Sequence, residues 1–139
     1  MRDVAITKWD SQATAADAKV SLGFVPDFAI CIFDERGTNP NIRFWFNRAR
    51  YTDWQAGADD SILMTGSSGV LTVDTASVAA YAGGDKVAAA DVTAGTYYKR
   101  AFASTGYAAG DLTSAGLAIP AGDQVNAGHN TIVAFRSDI

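Results

Sequence analysis

The side chains best suited to catalysis are scarce in this sequence. Its 139 residues include one histidine, His129 in the turn-like stretch "NAGHN", and one cysteine, Cys31 within an apolar run. A catalytic nucleophile needs a base within hydrogen-bonding reach, and a thiol inside a central strand is not expected to ionise. We therefore expect His129 to be a solvated turn residue, with a ligand or catalytic base as the alternative, and Cys31 to be a buried, inert thiol.

Carboxylates are the remaining groups able to act on a substrate or to hold a metal. Aspartate supplies all but one of the 15 acidic residues, and Asp53, Asp59 and Asp60 lie close together. Their spacing lacks the alternation and the terminal glutamate of a calcium loop, and one histidine with one cysteine cannot build a zinc site unless carboxylates complete it. Glycoside hydrolysis needs only two carboxylates beside a cleft, so a hydrolase stays open as a distant alternative. We predict no catalytic residue, no metal and no cofactor.

The net charge and the apolar pattern limit the classes of partner that the protein is expected to bind. A formal net charge of −4 and a pI of about 4.7 argue against nucleic acid, because phosphate binding requires clustered Lys and Arg. The N-terminal "MRDVAITKWD" has no apolar signal core, and no apolar stretch approaches the length that spans a bilayer. We expect synthesis and folding in a cytoplasm, no membrane partner, and no intrachain disulfide from the single cysteine.

Residue usage favours strands over helices. Lysine and glutamate, which solvated helix faces use, are scarce, whereas the turn formers Asp, Gly, Ser and Thr are plentiful. We predict an all-β fold, a single-domain antiparallel sandwich or barrel over residues 1–139, with seven or eight strands. The predicted strands are Val4–Trp9, Ala18–Phe24, Phe28–Phe33, Ile42–Asn47, Ser61–Thr65, Val70–Thr75, Tyr97–Ala103 and Thr131–Arg136.

The segments between these strands fall into two kinds. A long loop is expected at about 48–60, and loops of this length tend to be functional or to hold a short helix. Of the two Gly/Ala-rich segments, the one at about 76–96 is expected to be irregular strand and loop, and the one at about 104–130 to consist of extended surface segments that lie on a neighbouring subunit.

The stretch "KVSLGFVPDFAICIFD" places a tight corner between two strands. Pro26 lacks an N–H and biases the preceding residue toward extended geometry, and Gly23 suits a bulge or a close backbone approach. The second strand, Phe28–Phe33, is apolar on both faces. It should therefore be central in its sheet or covered by another chain.

The stretch "NIRFWFN" alternates most clearly. We expect Ile42, Phe44 and Phe46 to face the core and Arg43 and Trp45 to lie on the polar face. Tryptophan and arginine are enriched at interface hot spots, so we predict a protein interface in this region. The alternatives are that Trp45 packs under the loop that follows, that the arginines contact an anion, or that Trp54 folds back onto the core. The predicted interface residues are Arg43, Trp45, Arg48, Arg50, Tyr51 and Trp54.

The two ends of the chain resemble a pattern found in small bacteriophage virion proteins. In that pattern a Leu-Gly-Phe-x-Pro corner leads into an apolar strand, and the chain closes with a Gly-x-x-Ile-like segment, an Asn turn and a last strand ending in Ala-Phe. The matching positions, about a third of the chain, are Leu22, Gly23, Phe24, Pro26, Ile30, Ile32, Gly116, Ile119, Asn126, Ala134 and Phe135.

The resemblance implies a function that composition does not. Proteins of this kind are head decoration (cement) proteins and related tail or fibre modules, β-rich and usually trimeric or lattice-bound. It therefore implies a homo-oligomer, a trimer above all, located in the virion and bound to the major capsid protein. The alternative is a tail-fibre or receptor-binding module that contacts host surface glycan through Tyr51, Trp54 and nearby aspartates.

Overall fold

The computed structural model describes residues 3–49, 60–100 and 106–137. These residues form ten strands, one short helix and a 3₁₀ turn at Ala121–Asp123. In chain order the strands and the helix are β1 (Asp3–Asp10), β2 (Ala18–Ser21), β3 (Phe28–Phe33), β4 (Asn41–Phe46), β5 (Ser61–Met64), β6 (Leu71–Asp74), β7 (Ala79–Tyr81), α1 (Ala89–Ala94), β8 (Tyr97–Tyr98), β9 (Gly116–Ile119) and β10 (His129–Arg136).

The strands form two sheets. The large sheet has six strands in the order β1-β10-β3-β4-β5-β6, and every neighbouring pair is antiparallel. The small sheet has four strands in the order β7-β9-β2-β8, of which only the β2–β8 pair is parallel. The first and last strands of the chain pair along their whole length. The predicted all-β, sandwich-like class is confirmed.

The main core lies between the two sheets. Trp9, Cys31 and Ile132 from the large sheet join Val20 and Leu117 from the small sheet in one cluster of fully buried side chains. The Trp9 ring meets the Phe33 ring edge to face, with centroids 5.9 Å apart. Alternate residues of each strand point into this core, so the other half of each strand points outward.

The predicted corner is where the chain passes from one sheet to the other. Both Leu22 N–H and Gly23 N–H donate to the Ala115 carbonyl, and Gly23 has a φ of 89°. Such a φ is readily adopted only by glycine. Strand β2 therefore ends at Ser21, before the predicted Phe24, and β3 begins in the other sheet after Pro26.

Strand β3 occupies the bounds predicted for it. It lies between β10 and β4, two strands from one edge of the large sheet, and Cys31 is fully buried within it. The predictions of a central strand and a buried thiol are confirmed.

The Gly/Ala-rich segments contain regular structure that the sequence analysis missed. Residues 76–96 hold β7 and the six-residue helix α1, and 104–130 hold β9. Strand β9 is not a surface segment, since Leu117 and Ile119 are buried in the core. A Cβ on Gly116 would lie 1.9 Å from the Val20 carbonyl oxygen, so only glycine lets β9 approach β2 this closely.

Two further points concern the described residues alone. The strand predicted at Tyr97–Ala103 appears as Tyr97–Tyr98, and the end of the predicted range lies outside the described residues. Among the helices in residues 3–49, 60–100 and 106–137, none is long and apolar enough to cross a membrane.

Candidate protein-binding face

The outward side of the large sheet is apolar on all six strands. Strand alternation places one set of side chains on this side and the opposite set in the core. We call this surface the apolar face, and its members are Val4, Ile6, Phe28, Ile30, Ile32, Ile42, Phe44, Phe46, Ile62, Met64, Leu71, Val73, Val133 and Phe135.

The strand register aligns these side chains into continuous rows. Each residue of the central row faces its neighbour directly across the paired strands, so apolar contact runs from one edge of the sheet to the other. The central row is Ile6, Val133, Ile30, Phe44, Ile62 and Val73.

Phenylalanines fill one end of the apolar face. The Phe28 and Phe46 rings lie 4.9 Å apart between centroids, and Phe28 stacks on Phe135 at 5.8 Å with an interplanar angle of 18°. Such pairs contribute stability beyond the area they bury. The three rings therefore lie next to one another and make this end of the face aromatic.

The side chains of the apolar face are more exposed on the edge strands than on the inner strands. Ile6 is 59% exposed on β1, Leu71 and Val73 are each 62% exposed on β6, and the members on the inner strands are half-buried. The described helices and strands outside the large sheet belong to the small sheet or pack on its side, so none of them lies over this face. Contiguous apolar patches of this width mark interaction sites.

One corner of the same side is polar. Lys8 Nζ lies 3.1 Å from Glu35 Oε1, and the Thr131 hydroxyl donates to the other oxygen of that carboxylate. The hydrogen bond from Thr131 is the largest influence and lowers the pKa of Glu35 below its ordinary value; burial opposes it, and Lys8 lowers the pKa further. Beside them His129 Nδ1 lies 2.8 Å from Asp10 Oδ1. His129 is the first residue of β10 and not a turn residue as predicted, while its side chain remains 38% exposed.

The inward side of β4 reverses the expected orientation of that strand. Trp45 is fully buried, and Arg43 is 5% exposed. Ile42, Phe44 and Phe46, predicted in the core, are the outward residues. The prediction of an exposed Arg43 and Trp45 is therefore wrong. Alternation correctly separated the two sets, but both carry bulky side chains, so it did not show which set faces inward.

Arg43 is buried because acidic partners reach it from distant parts of the chain. Its Nη2 lies 3.0 Å from Asp74 Oδ2 and 3.3 Å from Asp123 Oδ1. The Ser77 hydroxyl donates to the second oxygen of Asp123 at 2.6 Å, and Ser61 lies 2.9 Å from Ser77. Burial raises the pKa of Asp123, while Ser77 and Arg43 act in the opposite direction. This group is a structural ion network between the two sheets.

The structure describes only one of the other four predicted interface residues. Arg48 is half-buried in the turn that follows β4. Arg50, Tyr51 and Trp54 lie outside the described residues, so the interface assignment stays a prediction for them. Trp45 is fully buried, and its indole N–H has no hydrogen-bond partner among the described residues.

The outward side of the small sheet is covered by the chain itself. Tyr81, Val87, Tyr97 and Tyr107 form a second buried cluster, against which Val92 of α1 packs. The Tyr81 hydroxyl donates to Asp85 at 2.7 Å, the Tyr97 hydroxyl donates to the same oxygen at 3.2 Å, and Lys19 Nζ lies 3.6 Å from it. We call this surface the tyrosine face.

Ionisation on the tyrosine face follows from these contacts. Burial first, and then Asp85, raise the pKa of Tyr81 to about 12 against the effect of Thr113. Burial also raises the pKa of Tyr97, and the hydrogen bond from Tyr81 is the main cause of a lowered pKa at Asp85. Tyr81 and Tyr97 therefore remain neutral donors to an ionised Asp85 over the ordinary pH range.

In the part of the chain that the structure describes, the side chains considered for catalysis or metal binding are not brought together. Burial raises the pKa of Cys31 to about 12, so this thiol is not a nucleophile in the folded protein. Among the described residues, no three His, Cys, Asp or Glu side chains are arranged to hold a metal ion. Asp60 is buried, and Asp53 and Asp59 lie outside the described residues.

The apolar face was not identified from sequence, although one signal of it was present. The strand "FAICIF" is apolar on both sides, which predicted either a central position or cover by another chain. The first condition applies, because β3 is central, and its outward half belongs to the apolar face.

Comparisons with other proteins do not assign this chain to a family. A scan against protein-family models, a search of curated proteins and a search of solved structures each return no match.

Proposed function

We propose that this protein is a bacteriophage structural protein, a capsid decoration (cement) protein that stabilises the head shell by binding protein. The observation that carries the proposal is the apolar face. Apolar surface costs about 25 cal/mol per Å² when it stays in water, so a sheet that is apolar on both sides is stable in an assembly that covers it. A permanent particle provides such cover.

The corner motif supports the virion part of the proposal. The residues that carry the resemblance at the start of the chain are those at which the backbone passes from the small sheet to the large one. Gly23 has the positive φ that this passage needs, and Leu22 and Phe24 are buried beside it. The motif thus has a physical role, which is to lead without a flexible loop into β3.

Copy number in purified particles of the phage that encodes this chain tests the proposal. A capsid coat predicts hundreds of copies in each particle, measured by quantitative mass spectrometry against the major capsid protein. A few copies, or a few tens, would favour the tail-fibre or receptor-binding alternative. Absence from particles would overturn both.

Binding to heads provides the direct test. Empty heads that lack this protein should bind it and then resist heat or low salt better than unbound heads. Denatured protein is the matched control, because it exposes apolar surface without the fold. Failure of folded protein to bind heads while it is abundant elsewhere in the particle would place it in the tail.

A further inference from the structure

We propose that the occupant of the apolar face is a second copy of this chain, which packs its own apolar face against the first. The inference rests on the proposed function only in requiring that this face binds protein. It assigns the face to self-association and leaves contact with the head shell to other surfaces.

The area of the face is sufficient for such a pair. Each outward side chain occupies about 4.8 Å between strands and two residues of about 3.4 Å along its strand, so the 14 members of the face give a footprint on the order of 500 Å² on each copy. Two copies then remove on the order of 1,000 Å² from solvent, which is the lower bound for a specific interface. Side chains that stand out from the sheet, such as Ile6 and Val73, add to this footprint.

The shape of the face fits a sheet of the same kind. Two twisted sheets pack face to face about 10 Å apart, with their strands rotated by about 30°, because each has the same hand of twist. A second copy presents a sheet of identical twist, size and apolar pattern. A two-fold axis would then place the same patch on both sides of the contact.

The charges around the face permit this pairing. A chain with a formal net charge of −4 repels its own copies wherever like charges meet. The apolar face contains no charged side chain, and the ion pairs at the nearby strand ends join opposite charges, as in Lys8 with Glu35 and Arg136 with Asp3. Among the described residues, packing two copies together therefore buries no unpaired charge of the apolar face.

The experiment measures oligomeric state over a range of protein concentrations by size exclusion with light scattering. The test variant carries Ile6→Lys and Val73→Lys, which place a charge on each edge of the apolar face at positions already 59% and 62% exposed. Both side chains can reach solvent in a single subunit, so folding should be retained, and far-UV circular dichroism verifies this. Leu112→Lys is the matched control, because Leu112 is 70% exposed but lies outside the large sheet.

The native protein and the Leu112→Lys control should self-associate with similar dissociation constants. The double variant should raise the dissociation constant by roughly a hundredfold or more, because association would bury two lysine charges that have no partner. A second variant, Ile30→Ala at the centre of the face, should weaken association without adding charge. A monomeric native protein, or a double variant that associates as tightly as the control, would overturn the inference.

Head binding separates this inference from the proposed function. A native protein that stays monomeric yet binds empty heads overturns self-association and leaves decoration standing. If head binding is then lost only in the double variant, the capsid is the occupant of the face. A self-associating protein that is absent from particles supports the inference and overturns the virion proposal.

Discussion

The apolar face and the tyrosine face are the two outward sides of one sandwich, and they are completed differently. On the tyrosine face, the chain covers its own sheet with α1 and with tyrosines whose hydroxyls reach Asp85 and Thr113. On the apolar face, no described helix or strand covers the sheet, and the side chains lack polar groups.

The two faces differ in the hydrogen bonds that their side chains can make as well as in how deeply they are buried. Tyrosine can be covered by its own chain because its hydroxyl finds a partner while its ring is buried. Ile, Val and Phe need only apolar contact, which a second molecule can supply without geometric demands. The tyrosine face is therefore suited to stability of the single subunit, and the apolar face to association.

The largest expected effect tests whether Arg43 belongs to the subunit interior. Arg43→Met removes the cation between Asp74 and Asp123, and loss of one partner of a buried ion network costs about 3–5 kcal/mol. Urea unfolding should show this loss in the single subunit. Arg36→Met, at an exposed turn residue, should change the free energy of unfolding by no more than about 0.5 kcal/mol.

A double variant identifies the cause of that loss. Adding Asp123→Asn to Arg43→Met removes the buried carboxylate left without its cation, so part of the stability should return. The contrary result is an Arg43→Met variant that unfolds at the same urea concentration as the native protein but no longer self-associates. Arg43 would then be an interface residue, as predicted from sequence.

A smaller effect is expected from alkaline pH on the tyrosine face. The folded pKa of Tyr81, about 12, lies above the ordinary value of 10.0, so the folded state holds the proton more tightly. The stabilisation is complete below pH 10 and is lost as the pH rises from about 10 to 12. Tyr81→Phe should flatten this decline in the free energy of unfolding.

The measurement needs one precaution, because Cys31 also has a raised pKa of about 12. Both proteins should therefore carry Cys31→Ala, which removes the thiol. Absorbance of tyrosinate near 295 nm then follows ionisation during the same titration. Equal slopes for the two proteins between pH 10 and 12 would show that Tyr81 does not contribute to the decline.

Part of this architecture could be predicted from sequence because it depends on neighbouring residues. The all-β class follows from residue usage, and the bounds of β3 follow from the Pro26 corner and the apolar run behind it. The helix α1 was missed because it is only six residues long and no member of it is buried. Local pattern alone identifies long, clearly apolar elements best.

The orientation of β4 depends on residues far along the chain. The partners that make burial of Arg43 favourable are Asp74 and Asp123, which lie 31 and 80 residues away. No local pattern contains this information. The apolar face was missed for the same reason, because it becomes visible only when the register joins β1, β10, β3, β4, β5 and β6.

The smallest expected effect concerns the polar corner beside the apolar face. Glu35→Gln removes the carboxylate that pairs with Lys8 and accepts from Thr131, and it should lower the free energy of unfolding by about 1 kcal/mol at pH 7. The Lys8 side chain is 65% exposed, so Lys8→Met should cost less. Urea unfolding of the two variants measures the difference.

The pH dependence and the association of Glu35→Gln complete this test. The folded pKa of Glu35 lies below its ordinary value of 4.5, so its stabilisation is present above that pH and is lost as the pH falls through the folded pKa. Glu35→Gln should remove this acid-side decline. Because the corner lies at the rim of the apolar face, the variant should keep the native dissociation constant for self-association. A large change in that constant would extend the contact between copies over the corner and would make Glu35 part of the interface.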